Sequence, residues 1–205
     1  MTTHPRTPRL GTRFDEAFSF AAEKHATQTR KRTTVPYISH LMSVAALVLE
    51  AGGDEDQAIA ALLHDVVEDC GGEPVLEEVR HRFGDRVADT VRGCTDAHTT
   101  PKPPWKQRKL DYLEVLRRAG DDVRLVSAAD KLHNVRTILA DYRVEGDSVW
   151  DRFSGRRDGT LWYYRAVLDV LNAGRPNRLV AELQRVVTEL ETLAGKGLAN
   201  SASLS

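Results

Sequence analysis

The segment Ala60-Ala61-Leu62-Leu63-His64-Asp65-Val66-Val67-Glu68-Asp69 constrains this chain more than any other. It places one imidazole and three carboxylates within two turns of an otherwise apolar helix. Counted at about 100° per residue, Ala58, Ile59, Ala60, Leu62, Leu63, Val66 and Val67 spread over more than half of the circumference. His64, Asp65, Glu68 and Asp69 fall together on the remaining arc, with only Ala61 among them. Such a helix is mostly buried, and its polar strip has no Lys or Arg. Carboxylates crowded on one arc repel each other unless a cation lies between them, so the strip suits a metal ion. Taken alone, it also suits a plain acidic face turned to solvent, and the rest of the chain has to decide.

Nearly every other segment reads as helix. Phe14, Ala17, Phe18, Ala21 and Ala22 give an amphipathic helix over about 13–26. The basic loop Arg30-Lys31-Arg32 and Pro36 separate it from a second helix, about 39–51, ended by Gly52-Gly53. Asp54 with Gln57 has the spacing of a capping box, and the pattern carries this third helix unbroken to Cys70, where Gly71-Gly72 closes it. Two more helices end near Phe83 and Cys94, and 95–104 is a loop by composition. Further helices are expected over about 105–119, 122–142, 160–171 and 178–193. No segment alternates as a strand does, and there is no internal repeat and no phosphate-cradling glycine motif. The expected class is all-α, with one domain over 13–194, a flexible N-terminus (1–12) and a disordered C-terminal tail (195–205).

At 205 residues, with 29% charged and 41% hydrophobic residues, the composition is that of an ordinary globular domain. A net charge of -1 gives no electrostatic case for a nucleic-acid polymer as partner. The N-terminal stretch has no apolar core of a signal peptide, and no run approaches the roughly 18 apolar residues of a membrane span. Cys70 and Cys94 form no CxxC pair. A cytoplasmic protein without a membrane partner is expected.

A second helix tests the acidic strip. In Leu125 to Leu139, Ser127, Asp130, His133, Asn134 and Thr137 share one arc, and Leu125, Ala128, Ala129, Leu132, Val135 and Leu139 pack the other side. Asp130 therefore sits among apolar neighbours, where an unpaired charge is expensive. Either a ligand role or a closed polar network with Asn134 or an Arg accounts for it. Pro36-Tyr37-Ile38-Ser39-His40 adds an imidazole at a helix start, a common place for one.

It is the combination that carries meaning. His40, then His64-Asp65 with Glu68-Asp69, then Asp130 with Asn134, follows an H…HD…D order, and the chain resembles the HD-domain metal-dependent phosphohydrolases. The strings HATQTRKR…PYISH, AALLHDVVED, FGDRVADTVRGCT and ADKLHNVRT are similar to the hydrolase domain of RelA/SpoT-type alarmone enzymes, over roughly Phe14 to Leu139. At this length the chain resembles the stand-alone small alarmone hydrolases. The resemblance implies an HD-domain helical bundle of about eight to ten helices. It implies one divalent metal, Mn2+ in the family, on His40, His64, Asp65 and Asp130, which would activate water and polarise a phosphoryl oxygen. Glu68 and Asp69 match the family's catalytic pair, and Arg30, Lys31, Asn134 and Thr137 match positions that meet the nucleotide. The implied substrate is a phosphorylated guanosine nucleotide: ppGpp or pppGpp loses its 3′-pyrophosphate to give GDP or GTP.

Other roles follow less directly. His133 belongs beside the metal ligands, whereas His4, His25, His81 and His98 read as structural or exposed. Lys106, Arg108 and Lys109 read either as phosphate contacts or as a solvated face, and Trp162-Tyr163-Tyr164 as packing or as a pocket wall. Two other functions stay open: an HD-domain phosphatase for another phosphorylated nucleotide (a nucleotide monophosphate or NADPH), and a non-catalytic nucleotide sensor. A homo-oligomer is compatible with all three.

Overall fold

The computed structural model describes residues 10–96 and 102–202, with side chains as far as 195. Ten α-helices and one short 3-10 helix follow one another in it, with no strand among the described residues. They are α1 (Thr12–Lys24), α2 (Ile38–Glu50), α3 (Glu55–Leu63), α4 (Val66–Cys70), α5 (Glu73–Phe83) and α6 (Asp85–Cys94). After these come α7 (Trp105–Arg118), α8 (Asp121–Glu145), the 3-10 helix (Gly146–Arg152), α9 (Arg156–Asn172) and α10 (Arg178–Ala202). The all-α expectation holds. Helix α10 runs past residue 194, into the stretch whose composition suggests a disordered tail. Most of the expected flexible N-terminus, and His4 and His98, lie outside the described residues.

The single third helix expected to run to Cys70 is instead two. The capping box at its start is formed, with Asp54 accepting from the Gln57 N–H and the Gln57 side chain accepting from the Asp54 N–H. The break falls at His64 and Asp65, the two polar residues inside the apolar run. His64 Nδ1 lies 2.8 Å from the Ala61 carbonyl oxygen, so the ring takes an acceptor that the helix would otherwise use. Asp65 then stands as the N-cap of α4, where the chain turns helical again. Gly71 (φ 142°) and Gly72 (φ 68°) end α4 in a left-handed turn that a side chain would strain.

Helix α8 is the central strut. It packs against α2, α3, α6, α9, α10 and the 3-10 helix. Its residues Val126, Ser127, Ala128, Ala129 and Asp130 are buried in succession, so the helix is enclosed on all sides there. Small residues allow that enclosure: Ala58, Ala60, Ala61, Ala128 and Ala129 are fully buried, and α3 and α8 approach closely around them. The loop from α1 to α2 is pinned by a bridge between Thr29 and Pro36 and by the Arg30 N–H donating to the Val35 carbonyl at 2.8 Å. The basic residues of that loop therefore project from a short, closed turn.

Helices α7 and α9 meet through Trp105. The outer edge of its ring packs close to Gly155 and Gly159, where an added Cβ would come within 2.6 and 3.1 Å of ring carbons. An alanine at position 155 should displace the ring and cost about 1–3 kcal/mol, the usual penalty of overpacking. Urea unfolding of Gly155→Ala against the parent chain measures this, and equal midpoints would show that the contact is slack.

Candidate metal centre and active-site cavity

The turn between α3 and α4 points His64 into the protein interior. If its Nδ1–H donates to the Ala61 carbonyl, Nε2 is left with a lone pair. His40, fully buried near the start of α2, reaches the same state by another route. Its Nδ1 lies 2.8 Å from Nδ1 of His133 on α8, so one ring donates and the other accepts. Burial, together with His40 and Arg30, lowers the His133 pKa to about 4. His133 is thus neutral and suited to accept, which again leaves Nε2 of His40 with a lone pair.

Both Nε2 atoms are buried without a hydrogen-bond partner. Each faces the same two carboxylates. Asp65 Oδ2 is 3.0 Å from His64 and 3.6 Å from His40, and Asp130 Oδ1 is 3.2 Å from His40 and 3.6 Å from His64. The ligand atoms of His40, His64 and Asp65 all lie within 4.8 Å of one another. Unpartnered buried nitrogens are rare and call for an explanation. Two imidazole nitrogens and two carboxylate oxygens around one point are a donor set for a divalent transition metal, and these residues fit one. The same arrangement favours a proton on His64. Burial works against the imidazolium, but the Asp65 and Asp130 carboxylates outweigh it and hold the pKa well above the ordinary value. Burial likewise works against both carboxylates, yet His64 holds Asp65, and Lys131 with the two imidazoles holds Asp130, well below the usual range.

Neighbouring side chains fix the four donors. The Tyr37 hydroxyl donates to Asp65 Oδ2 at 2.5 Å. Asn134 Nδ2 donates to Asp130 Oδ1 and Lys131 Nζ to Asp130 Oδ2, each at 2.5 Å. Arg30 Nη2 donates to Asn134 Oδ1 at 2.7 Å, with its guanidinium 5.7 Å from the centre of the Tyr37 ring.

A cavity of about 520 Å³ opens over this cluster. Asp65, Glu68, Asp69 and Asp130 line it, and so do the cations Lys31, Arg108 and Lys109. Trp105, Phe153, Tyr163 and Tyr164 supply aromatic wall. Glu68 Oε1 accepts from Lys102 at 2.8 Å, and Asp69 Oδ2 accepts from Gln28 Nε2 at 2.8 Å. Burial, then the nearby Asp96 carboxylate, push the Glu68 pKa up to about 7. Lys31 has no ion-pair partner among the described residues. Burial and the charges of Arg32, Lys109 and Arg108 lower its pKa. A cation held among cations in a cavity wall is arranged for an anionic ligand.

The structure thus brings together every residue that the sequence assigned to metal, catalysis or substrate. His40 and His64 lie buried beneath the cavity, and Asp65, Asp130, Glu68, Asp69, Arg30, Lys31, Asn134 and Thr137 line it. Of the residues left undecided, Arg108, Lys109, Tyr163 and Tyr164 line the cavity, whereas Lys106 sits on the face of Trp162. His25 is buried with its Nδ1 2.6 Å from Gln28 Oε1, and His81 is exposed. Sequence reasoning missed Tyr37, Gln28, Lys131 and Asp96 as parts of the site. All but Asp96 lie inside strings already prominent, HATQTRKR…PYISH and ADKLHNVRT.

An HD-domain family model matches residues 17–161. The chain belongs to the HD-domain family. This HD-domain protein is 38% identical over 134 residues to the guanosine-3′,5′-bis(diphosphate) 3′-pyrophosphohydrolase of Aquifex aeolicus (strain VF5). That match covers 64% of this chain but only 18% of the longer Aquifex protein. It is 41% identical over 126 residues to the protein of the same activity name from Xenopus tropicalis, covering 60% of this chain and 68% of that one. With the Drosophila melanogaster counterpart it shares 33% identity over 180 residues, covering 86% and 92%. Among solved structures it is similar to a metazoan ortholog of SpoT that hydrolyses ppGpp, with a TM-score of 0.73, 31% identity, and coverage of 92% and 98%. No helix of the described residues is long and apolar enough to cross a membrane.

Ligation by His64 requires loss of the proton that Asp65 and Asp130 hold on it, so metal affinity should weaken as pH falls from about 8 to about 6. At a hundredfold excess over Kd, a divalent ion should stabilise the fold by about 2.7 kcal/mol. Thermal unfolding with and without Mn2+ across this pH range reads both effects. His64→Ala should abolish the stabilisation, and an undiminished stabilisation in that variant would place the ion elsewhere.

Proposed function

We propose that this HD-domain protein is a metal-dependent hydrolase of ppGpp and pppGpp, releasing pyrophosphate from the 3′ position and leaving GDP or GTP. The observation that carries this reading is the convergence of two unpartnered imidazole nitrogens and two carboxylate oxygens beneath a cavity that Lys31, Arg108 and Lys109 also line. The relatives named for this activity support it, as does the SpoT ortholog with the same fold. We assign the metal, Mn2+ by preference, to His40, His64, Asp65 and Asp130, and the site of action to the cytoplasm. When bound, the ion supplies a Lewis acid for a phosphoryl oxygen and lowers the pKa of water.

The remaining steps belong to side chains of this chain. Lys31, Arg108 and Lys109 draw in and orient the phosphates. Arg30, held by Asn134 and close to Tyr37, presents a flat cation to the guanine, while Asn134 and Thr137 meet the sugar. Water adds to the phosphorus that carries the 3′ oxygen, the bond from phosphorus to that oxygen breaks, and the oxygen leaves with a proton. Glu68 takes the proton of the attacking water. A pKa near neutrality suits a base that must also release its proton. Asp69, oriented by Gln28, lies on the same helix turn to assist the departing oxygen.

The purified chain with ppGpp and Mn2+ should yield GDP and pyrophosphate on anion-exchange separation. EDTA or Asp65→Ala should abolish the products. Orthophosphate as product would point instead to a monophosphate substrate, and bound but intact ppGpp to a sensor. Glu68→Gln should lower kcat by about 10²- to 10⁴-fold. In the parent enzyme kcat should rise with pH through about 7, because the carboxylate form of Glu68 is the active one. A rate independent of pH over that interval would remove Glu68 from the role of base.

A further inference from the structure

Asp96 stands two residues beyond the end of α6 and is nearly enclosed, with 8% of its side chain exposed. No step above uses it. It anchors two cations of the cavity wall: Arg108 Nη1 lies 2.6 Å from its Oδ1, and Lys109 Nζ donates to its Oδ2. Arg108 also reaches back, with Nη1 3.7 Å from Glu68 Oε1. Arg108 Nη1 thus lies between the Glu68 and Asp96 carboxyl groups, and the charge of Asp96 favours a proton on Glu68. Neighbouring, partly buried carboxylates do not both ionise freely, so the cations decide which one does. Asp96 has Lys109 and Arg108, and against the effect of burial they bring it down to about 2. Glu68 has Lys102 at 2.8 Å, and the more distant Arg108. The other charges that face it are Asp96 and, from its own turn, Asp65, while Asp69 shares Lys102 with it.

We infer that Asp96 is a positioning residue for the hydrolytic step: its fixed negative charge keeps Glu68 ready to take up a proton, and its two ion pairs set Arg108 and Lys109 in the cavity wall. The inference rests on the reading of Glu68 as the base. It makes one carboxylate serve both halves of the site, the proton-handling side and the anion-binding side. Removing its charge should lower the pKa of Glu68 and loosen both cations together.

The test is the pH dependence of kcat and KM for ppGpp hydrolysis with Mn2+, in the parent chain, Asp96→Asn and Glu68→Gln. Asparagine keeps the size and one acceptor but removes the charge. The rising limb near pH 7 should move to lower pH by roughly one unit in Asp96→Asn, with KM raised, and should vanish in Glu68→Gln. A limb that vanishes in Glu68→Gln but stays in place in Asp96→Asn would overturn the role of Asp96 and leave Glu68 as the base. A limb that persists in Glu68→Gln would overturn both. The carboxyl carbon resonance of Glu68, followed by NMR in the parent chain without added metal, needs no variant to fold. Titration near 7 supports the pairing, and titration in the ordinary range near 4.3 overturns it.

Discussion

The hydrogen bond between the His64 ring and the Ala61 carbonyl is where local backbone chemistry becomes site chemistry. It ends α3, commits one ring nitrogen to the protein and leaves the other for the cavity floor. The interruption also makes Asp65 the N-cap of a new helix, aimed at the same point as His64. The mirrored arrangement on α2, where His40 leans on His133, delivers a second nitrogen. Asp130 closes the group from the enclosed stretch of α8. Three helices packed through alanines are needed to bring these atoms within a few ångströms, and that dictates why the interior around the site is built from small residues.

Charge is distributed with the same economy. The acids gather near the buried donors, and Lys31, without an ion-pair partner among the described residues, lines the same cavity. Most cations at the site are already engaged: Lys131 with Asp130, Arg108 and Lys109 with Asp96, Lys102 with Glu68. The cavity wall therefore holds its positive groups in fixed places without a ligand. A charged ligand finds them oriented rather than having to order them.

Much of this could be read from the chain alone, and the reasons are physical. Helices α3 and α8 announce themselves because apolar residues recur at the helical period, and because acids inside such a run need a partner. The histidines and carboxylates are legible as chemistry for the same reason. The break at His64 is not legible, since it depends on a ring finding a carbonyl that any continuous helix would have claimed. Asp96 is not legible either. It lies outside any periodic segment, and only the approach of α7 gives its charge a meaning. Tyr37 and Gln28 reach the site from the loop joining α1 to α2, where sequence spacing says nothing about direction. Tyr163 and Tyr164 are apolar enough to pass for core, and they serve as both core and wall.

The close packing of Trp105 against Gly155 and Gly159 ties two parts of the cavity into one mechanical unit. Arg108 and Lys109 ride on α7, and Tyr163 and Tyr164 ride on α9, so the cationic side cannot shift without carrying the aromatic side along. Broadening the substrate range by widening only one of them would work against this coupling. The dimensions of the pocket depend at this edge on two residues with no side chain at all.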